Sequence, residues 1–173
     1  TSGVWQKTIA DPFFTWGAAT DGNGSGIRGY SYEWTAGTNN CTSGKCEYPS
    51  STQYDPPPVK TGSYIFRVKA RDVAGNDSEF SSPFIFNFDD TPPKVPAVQN
   101  NDNIANGVWQ KSIRTANFTW PPADDGAGSG VQKYYVYAGN DPNGTSAAPT
   151  TNRSYLNPTP FVAADGAATF YLR

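Results

Sequence analysis

The sequence contains no histidine and no methionine, and only two of its 173 residues are cysteine. Without histidine it lacks the side chain that most often acts as a general base at neutral pH. It also has no Gly-x-Ser-x-Gly nucleophile motif and no phosphate-binding loop. The acidic pairs Asp89-Asp90 and Asp124-Asp125 lie among proline or glycine residues, as solvated turn residues do. These absences predict a chain that is not an enzyme.

The sequence also lacks an excess of either charge and has no long apolar run. Thirteen basic residues against 15 acidic ones give a net charge of −2, and no basic cluster occurs. Binding to nucleic acid requires a basic surface that neutralises phosphates. A membrane-spanning helix requires a run of about 20 apolar residues, and the sequence has none. We therefore expect no nucleic-acid partner and no membrane span.

Aromatic residues are frequent, at 14% of the chain, and they alternate with polar neighbours. This period of two appears over 30–34, 64–71 and 84–88 and is typical of half-buried strands. Seventeen glycines and 15 prolines interrupt the chain too often for long helices. In the first half we predict strands over 3–9, 12–16, 27–35, 45–48, 51–55, 62–72 and 79–89. Seven short strands separated by turn signals predict an all-β sandwich.

The sequence repeats itself at an offset of 104 residues. Residues 3–34 and 107–138 are identical at 16 of 32 positions without a gap, and both contain an Asp-Gly-x-Gly-Ser-Gly segment. This spacing fits one sandwich domain of about 100 residues plus a linker. We predict two tandem domains, over 1–91 and 105–173, joined by a proline-containing linker over 92–104.

Comparison of the two copies predicts which side chains face the core. Phe14 and Trp16 recur as phenylalanine and tryptophan, the latter being Trp120, whereas Phe13 is replaced by Asn117. Because alternate residues of a strand face opposite sides, we expect Phe14, Trp16 and Trp120 inside and Phe13 outside.

A longer pattern carries a family resemblance. Residues 64–78 read Tyr-Ile-Phe-Arg-Val-Lys-Ala-Arg-Asp-Val-Ala-Gly-Asn-Asp-Ser, and 86–93 read Phe-Asn-Phe-Asp-Asp-Thr-Pro-Pro. With the glycine-rich segment, this pattern resembles the tandem immunoglobulin-like or fibronectin-type-III-like repeats of large bacterial and archaeal surface proteins. The resemblance covers the first copy and most of the second. It implies two tandem sandwiches that serve as a spacer, stalk, adhesive or filament-forming module, although such sandwiches host many roles.

The two cysteines, Cys41 and Cys46, are separated by residues that favour a tight turn. A turn would bring the thiols within bonding range, so we predict a disulfide that fixes one short loop. Free thiols in a cytosolic protein are the alternative. A disulfide indicates an oxidising compartment, and therefore a secreted or cell-surface protein.

Calcium is the candidate cofactor, because oxygen ligands on a turning backbone suit this ion. The candidate ligands are Asp21, Asn23, Asp72, Asp77 and Asp125. The alternative is that aspartate, asparagine and glycine simply form turns at these positions. The second copy has alanine in place of Asn23, which weakens a site shared by both copies.

Two further kinds of surface site are candidates. Tyr135 and Tyr137 alternate with the inward residues, so they are expected to face solvent, where with Tyr155 they could stack on a sugar ring. Asn-x-Ser/Thr sequons make a glycoprotein chemically feasible if the host has the machinery. The sequons begin at Asn23, Asn40, Asn76, Asn117, Asn143 and Asn152.

The expected function is that of an extracellular structural repeat of a surface stalk, sheath or filament, which acts by assembly or adhesion. The alternative is a polysaccharide- or ligand-binding accessory module of a secreted enzyme or adhesin. Residues 170–173 align with 64–67, so the second copy lacks the counterpart of the last predicted strand. That strand either follows in a longer array or comes from a neighbouring subunit by donor-strand complementation, with residues 1–9 as the natural donor.

Overall fold

The computed structural model describes residues 1–35, 41–42, 45–101, 105–108, 116–139, 141, 143–145, 147–156 and 171–172. These residues form strands and turns without a helix, which confirms the all-β class. The described part of the chain accordingly has no helix of the length and hydropathy that crossing a membrane requires. By its internal contacts the chain divides into unit 1, Thr1–Thr91 with Ala127–Ser129, and unit 2, Pro92–Gly126 with Gly130–Arg173.

Unit 1 is built on a four-stranded sheet. Its strands are β1 (Trp5–Gln6), β2 (Phe14–Thr15), β3 (Ile27–Trp34), β4 (Cys41–Thr42), β5 (Lys45–Cys46), β6 (Gln53–Tyr54), β7 (Gly62–Asp72) and β8 (Phe84–Phe88). The order in the sheet is β1-β8-β7-β3, with β1 parallel to β8 and the other pairs antiparallel. Two antiparallel pairs, β2 with β6 and β4 with β5, complete the described strands of the unit.

Aromatic side chains form the core of unit 1. Phe14 of β2 stacks on Phe66 of β7 with ring centroids 4.2 Å apart, and lies 5.2 Å from the ring of Trp34 on β3. Trp34 is only 1% exposed. Because large rings bury much apolar area, these contacts account for a large share of the stability. The β2–β6 pair therefore packs on one face of the four-stranded sheet, an arrangement consistent with a β-sandwich.

The predicted faces of the first strands are confirmed. Phe14 is buried, whereas its neighbour Phe13 is 56% exposed. Trp16 is partly buried and packs against the core cluster. In the second copy Trp120 is buried.

The predicted strand over 79–89 is shorter in the structure, where β8 begins at Phe84. Residues before it still run beside β7, and the amides of Ser78 and Ser81 donate to β7 carbonyls, but serine hydroxyls are the acceptors for two β7 amides. The amide of Ala70 donates to Ser78 Oγ at 3.0 Å, and the amide of Val68 donates to Ser81 Oγ at 3.1 Å. The segment is therefore attached to β7 without forming a regular ladder.

The edge of β8 is covered by the start of the chain. The amide of Gly3 donates to the carbonyl of Ile85 at 2.8 Å, and the amide of Asp89 donates to the carbonyl of Gln6 at 2.9 Å. Asn87, which alternation places outward, is buried here. Its side-chain amide donates to the carbonyl of Gly3 at 3.0 Å, so the buried polar group is satisfied.

Unit 2 contains shorter described strands. They are β9 (Gln99–Asn100), β10 (Asn117–Thr119), β11 (Tyr134–Val136), β12 (Ala138–Gly139), β13 (Ala148–Thr150), β14 (Ser154–Leu156) and β15 (Tyr171–Leu172). They form a β14-β10-β9 sheet and the antiparallel pairs β11–β13 and β12–β15. Residues 99–100 thus belong to a sheet, although they lie inside the segment expected to be a linker.

The strand register of unit 2 repeats that of unit 1. Phe14 lies opposite Tyr54, and Phe118 lies opposite Tyr155. In the four-stranded sheet of unit 1, Trp34 lies opposite Phe66, and in the β12–β15 pair of unit 2, Ala138 lies opposite Leu172. The second correspondence agrees with the alignment of 170–173 on 64–67 made from the sequence.

Candidate functional site

The Asp-Gly-x-Gly-Ser-Gly loop has nearly the same geometry in both units. Its second residue has a φ of 57° at Gly22 and 58° at Gly126, a left-handed conformation that glycine adopts without strain. The carboxylate of Asp21 accepts a hydrogen bond from the amide of Gly26 at 2.9 Å. In the second loop, the carboxylate of Asp125 accepts the equivalent hydrogen bond from the amide of Gly130 at 2.6 Å. The aspartate therefore closes the loop.

A second shared contact lies next to this loop. The hydroxyl of Tyr30 accepts a hydrogen bond from the amide of Ala19 at 2.8 Å, and that of Tyr134 accepts one from the amide of Ala123 at 3.1 Å. Each tyrosine ring also meets a tryptophan edge to face, with centroids 5.7 Å apart in unit 1 and 5.8 Å apart in unit 2. Both units thus hold the loop to the core in the same way.

In unit 1 this loop is attached to the turn over 72–77. The amide of Val73 donates to the carbonyl of Gly26, and the amide of Ala74 donates to Ser25 Oγ. Within the turn, hydrogen bonds from the side chain and the backbone of Asn76 hold the pKa of Asp72 below its ordinary value. The Asp72 carboxylate therefore serves the backbone of its own turn.

Asp77 lies among cations. Its carboxylate accepts hydrogen bonds from Arg71 Nε at 2.5 Å and from Lys69 Nζ at 2.7 Å. Arg71 first, and then Lys69, lower the pKa of Asp77 well below 3.8. The Arg71 guanidinium also lies 4.2 Å from the centroid of the Tyr48 ring. The sequence did not indicate this network, because it depends on how the turn folds back on β7.

These contacts bear on whether the candidate ligands can bind calcium. Asp21 and Asp125 each bind a backbone amide, Asp72 binds Asn76, and Asp77 is already compensated by two cations that would repel a metal ion. Across the described ranges, no three acidic, cysteine or histidine side chains lie close enough together to hold a metal ion. Asn23 is exposed on its loop. The geometry favours a role in turns, and calcium binding stays a prediction to be tested.

The three candidate tyrosines differ in exposure. Tyr135 is 58% exposed, as predicted, and the ammonium of Lys133 lies 5.2 Å from its ring centroid. Tyr137 is half-buried, so its predicted exposure was wrong. Its hydroxyl accepts a hydrogen bond from the amide of Asp141, and its ring lies where a side chain at Gly144 would be. Tyr155 is half-buried too.

The sequon asparagines also differ in exposure. Asn143 and Asn152 are exposed in turns, whereas Asn117 is partly buried on β10. The side-chain amide of Asn76, the group a glycan would modify, donates to Asp72 at 2.8 Å. Asn23 is exposed, and Asn40 lies outside the described residues.

The backbone register places Cys41 directly opposite Cys46 in the β4–β5 pair. Directly opposed residues of an antiparallel pair have Cα atoms about 4.5–5.5 Å apart, within the range that a disulfide requires. The predicted disulfide is therefore compatible with the strand pairing.

Unit 2 contains an apolar groove of about 270 Å³ that the sequence did not indicate. It is lined by Trp120 and Ala123 and by residues within 93–98 and 131–136. Lys94 anchors one wall: its ammonium donates to Asp124 at 2.7 Å, and this contact lowers the pKa of Asp124.

Comparison with known proteins does not assign the chain to a family. No protein-family model matches the sequence, and no curated protein matches it. The functional argument therefore depends on the geometry of the two units.

Proposed function

We propose that the chain is an extracellular, non-catalytic pair of immunoglobulin-like or fibronectin-type-III-like repeats from a surface stalk, sheath or filament. The observation that carries this proposal is that both units contain the same glycine-rich loop, closed and attached to the core by the same hydrogen bonds. The loop aspartate, the left-handed glycines and the hydrogen bond from an alanine amide to a tyrosine hydroxyl recur at the same offset. These residues, which are identical in both copies, stabilise the fold, as expected where the repeated unit itself carries the function.

The chemistry of the polar clusters supports the same proposal. The aspartates at loops and turns bind backbone amides or neighbouring cations, and thereby fix short connections between strands. Rigid connections suit a spacer, which must keep its shape. The opposed cysteines of β4 and β5 add support for an oxidising, extracellular location.

Immunogold electron microscopy of intact source cells, with antibodies raised against the purified chain, tests this proposal. We expect label on the outside of unpermeabilised cells, arranged along a layer, stalk or fibre. Permeabilised cells serve as the control for antibody access. Label that appears only after permeabilisation contradicts an extracellular role.

Binding of a polysaccharide is the second candidate function, and the exposure of Tyr135 beside Lys133 favours it. A flat ring with a neighbouring ammonium can stack on a sugar and bind its acidic substituents. A glycan array probed with the protein and with Tyr135→Ala tests this function. Loss of a glycan signal in Tyr135→Ala, with the signal kept in Tyr155→Phe, supports it, while no signal from either protein argues against it.

A further inference from the structure

The apolar groove of unit 2 has the composition of a small-molecule site. Its walls include the prolines and valines of 93–98 and 131–136, with the rings of Trp120 and Tyr134 beside them. Sites for small ligands are typically concave and mostly apolar, with a few polar groups that set the orientation. Since a cavity of about 150 Å³ in a protein core can hold benzene, a groove of about 270 Å³ suits one ring with substituents.

One polar atom at this groove lacks a hydrogen-bond partner. Trp120 is only 6% exposed, and its indole Nε1 is buried without an acceptor among the described residues. An indole N–H can only donate, and a buried donor left unpaired costs free energy. Because solvent does not reach this atom, an acceptor oxygen has to come with a ligand that enters among the lining side chains. Side chains at binding surfaces commonly change rotamer when a partner binds.

The equivalent tryptophan of unit 1 has different surroundings. Trp16 Nε1 is also buried without an acceptor in the described part of the chain, but its ring meets those of Tyr30, Tyr32 and Phe66. Aromatic rings around an N–H compensate it in part. The ring contact described for Trp120 is with a single tyrosine. The two tryptophans occupy equivalent positions in the two copies, and Trp120 is the one that lines this groove.

The groove also presents a positive charge to a ligand. Of the two lysines that line it, Lys94 is paired with Asp124 at 2.7 Å. The ammonium of Lys133 lies 5.2 Å from the centroid of the Tyr135 ring. Among the described residues it has no carboxylate partner. A negatively charged ligand is therefore favoured over a neutral one of the same shape.

We propose that the unit 2 groove binds a small aromatic carboxylic acid that carries a second oxygen. The ring would pack against the prolines and valines of the walls. One oxygen would accept the hydrogen bond of Trp120 Nε1, and the charge of the ligand would lie near the Lys133 ammonium. The inference goes beyond the function proposed above, because a structural repeat needs no such ligand.

Nuclear magnetic resonance of the isotope-labelled full chain, titrated with para-hydroxybenzoate, tests this proposal. The chain has five tryptophans, and the indole N–H signal of Trp120 is identified in the unaltered protein by its proximity to the Tyr134 ring. We expect this signal and the amides of 131–136 to shift, and to saturate at about millimolar concentration for a ligand of this size. The indole signal of Trp16 should stay in place and serves as the internal control.

Lys133→Gln removes the charge at the groove and should weaken binding about fivefold. The neutral para-hydroxybenzamide should lose a similar factor with the unaltered protein. Lys60→Gln is the matched control, because this lysine is exposed in unit 1 and its loss changes the net charge equally. We expect Lys60→Gln to bind para-hydroxybenzoate as wild type does.

The proposal is overturned if no saturable shift occurs, or if the amides of 131–136 shift while the Trp120 indole signal does not. Equal shifts of the Trp16 and Trp120 signals would show that the acid binds without selecting the groove. Equal binding by Lys133→Gln and Lys60→Gln would remove the role of the charge. Toluene that binds as tightly as the acid would also count against the proposal, because the groove would then select apolar area alone.

Discussion

Single tyrosine hydroxyls fix the position of the loop entry in both units. In each, the hydroxyl accepts a hydrogen bond from an alanine amide eleven residues earlier in the chain. That amide is part-buried, so loss of its acceptor leaves a polar group without compensation. Loss of this single oxygen atom is therefore expected to lower the stability of the unit. Because the hydrogen bond occurs in both units, equivalent substitutions in the two copies can be compared directly.

Removal of this hydroxyl should destabilise either unit. We expect Tyr30→Phe and Tyr134→Phe each to lower the free energy of unfolding by about 1 kcal/mol, the cost of one hydrogen bond. Urea denaturation followed by tryptophan fluorescence measures this cost. Tyr135→Phe is the control, because its ring is exposed, and it should leave the midpoint unchanged. Stability unaltered in both Tyr30→Phe and Tyr134→Phe would show that the hydroxyl bonds are unimportant.

Asp77 should make unit 1 sensitive to acid. Its pKa in the folded protein is held below the ordinary 3.8 by Arg71 and Lys69. The stabilisation is therefore complete above about pH 4 and is lost as the pH falls through the folded-state pKa. We expect Asp77→Asn to cost about 1 kcal/mol at pH 7, with a difference from wild type that shrinks below pH 4. Thermal melts from pH 7 to pH 2 measure it, and a difference independent of pH would contradict this assignment.

Among the elements, the loops between strands depend on a few polar side chains. In the glycine-rich loop, an aspartate carboxylate and a left-handed glycine together set the path from one strand to the next. In the turn after β7, the backbone of 72–76 folds around the Asp72 carboxylate. Such loops are closed by local hydrogen bonds between carboxylates and backbone amides.

The glycine-rich loops should therefore be stabilised by aspartate without calcium. We expect Asp21→Ala and Asp125→Ala each to lower stability by about 1 kcal/mol, equally in chelator and in excess calcium. Differential scanning calorimetry in both solutions measures the effect. Binding of calcium to the folded state would raise stability by mass action. A midpoint that rises with calcium in wild type and not in Asp21→Ala would therefore show that this loop binds calcium.

The β4–β5 pair should contain a disulfide between Cys41 and Cys46. We expect mass spectrometry to detect no alkylation of the unreduced protein and two alkylated thiols after reduction. Because the closed loop is short, reduction should cost only about 2 kcal/mol. Alkylation of both thiols before reduction would remove the main internal argument for an oxidising compartment.

The bounds of β3 and β7 and the faces of the first strands followed from the sequence because they depend on a local period of two, whereas β1, β2, β6 and β8 are shorter than predicted and β4 was not predicted. The burial of Phe14 beside exposed Phe13 is one case, which comparison of the two copies predicted. The burial of Asn87 did not follow, because it results from the parallel pairing of β1 with a strand some 80 residues later in the chain. The ion pairs of Asp77 also depend on a turn whose backbone path no local pattern specifies.

At the scale of the whole molecule, two units built on one pattern use different residues at several matched positions. Trp34, the most buried ring of unit 1, corresponds to Ala138 in unit 2. The two cores therefore need not be equally stable, although their loops are alike. The tryptophans kept in both copies give a direct comparison between the two cores.

Truncation of these tryptophans should destabilise both units, unit 2 the more. We expect Trp120→Ala to cost about 5 kcal/mol and Trp16→Ala about 3 kcal/mol, because Trp120 is buried and Trp16 is only partly so. Chemical denaturation monitored by circular dichroism measures both values. Unchanged melting of both variants would refute the assignment of these residues to the core.

The parallel pairing of β1 with β8 has a mechanical consequence. When tension pulls the amino-terminal end of β1 and the carboxyl-terminal end of β8 apart, parallel strands must slide past each other. The bonds from Gly3 to Ile85 and from Asp89 to Gln6 then bear the load together, in shear, and do not open one after another. We expect a unit joined in this way to resist stretching along the chain better than one whose terminal strands separate one hydrogen bond at a time.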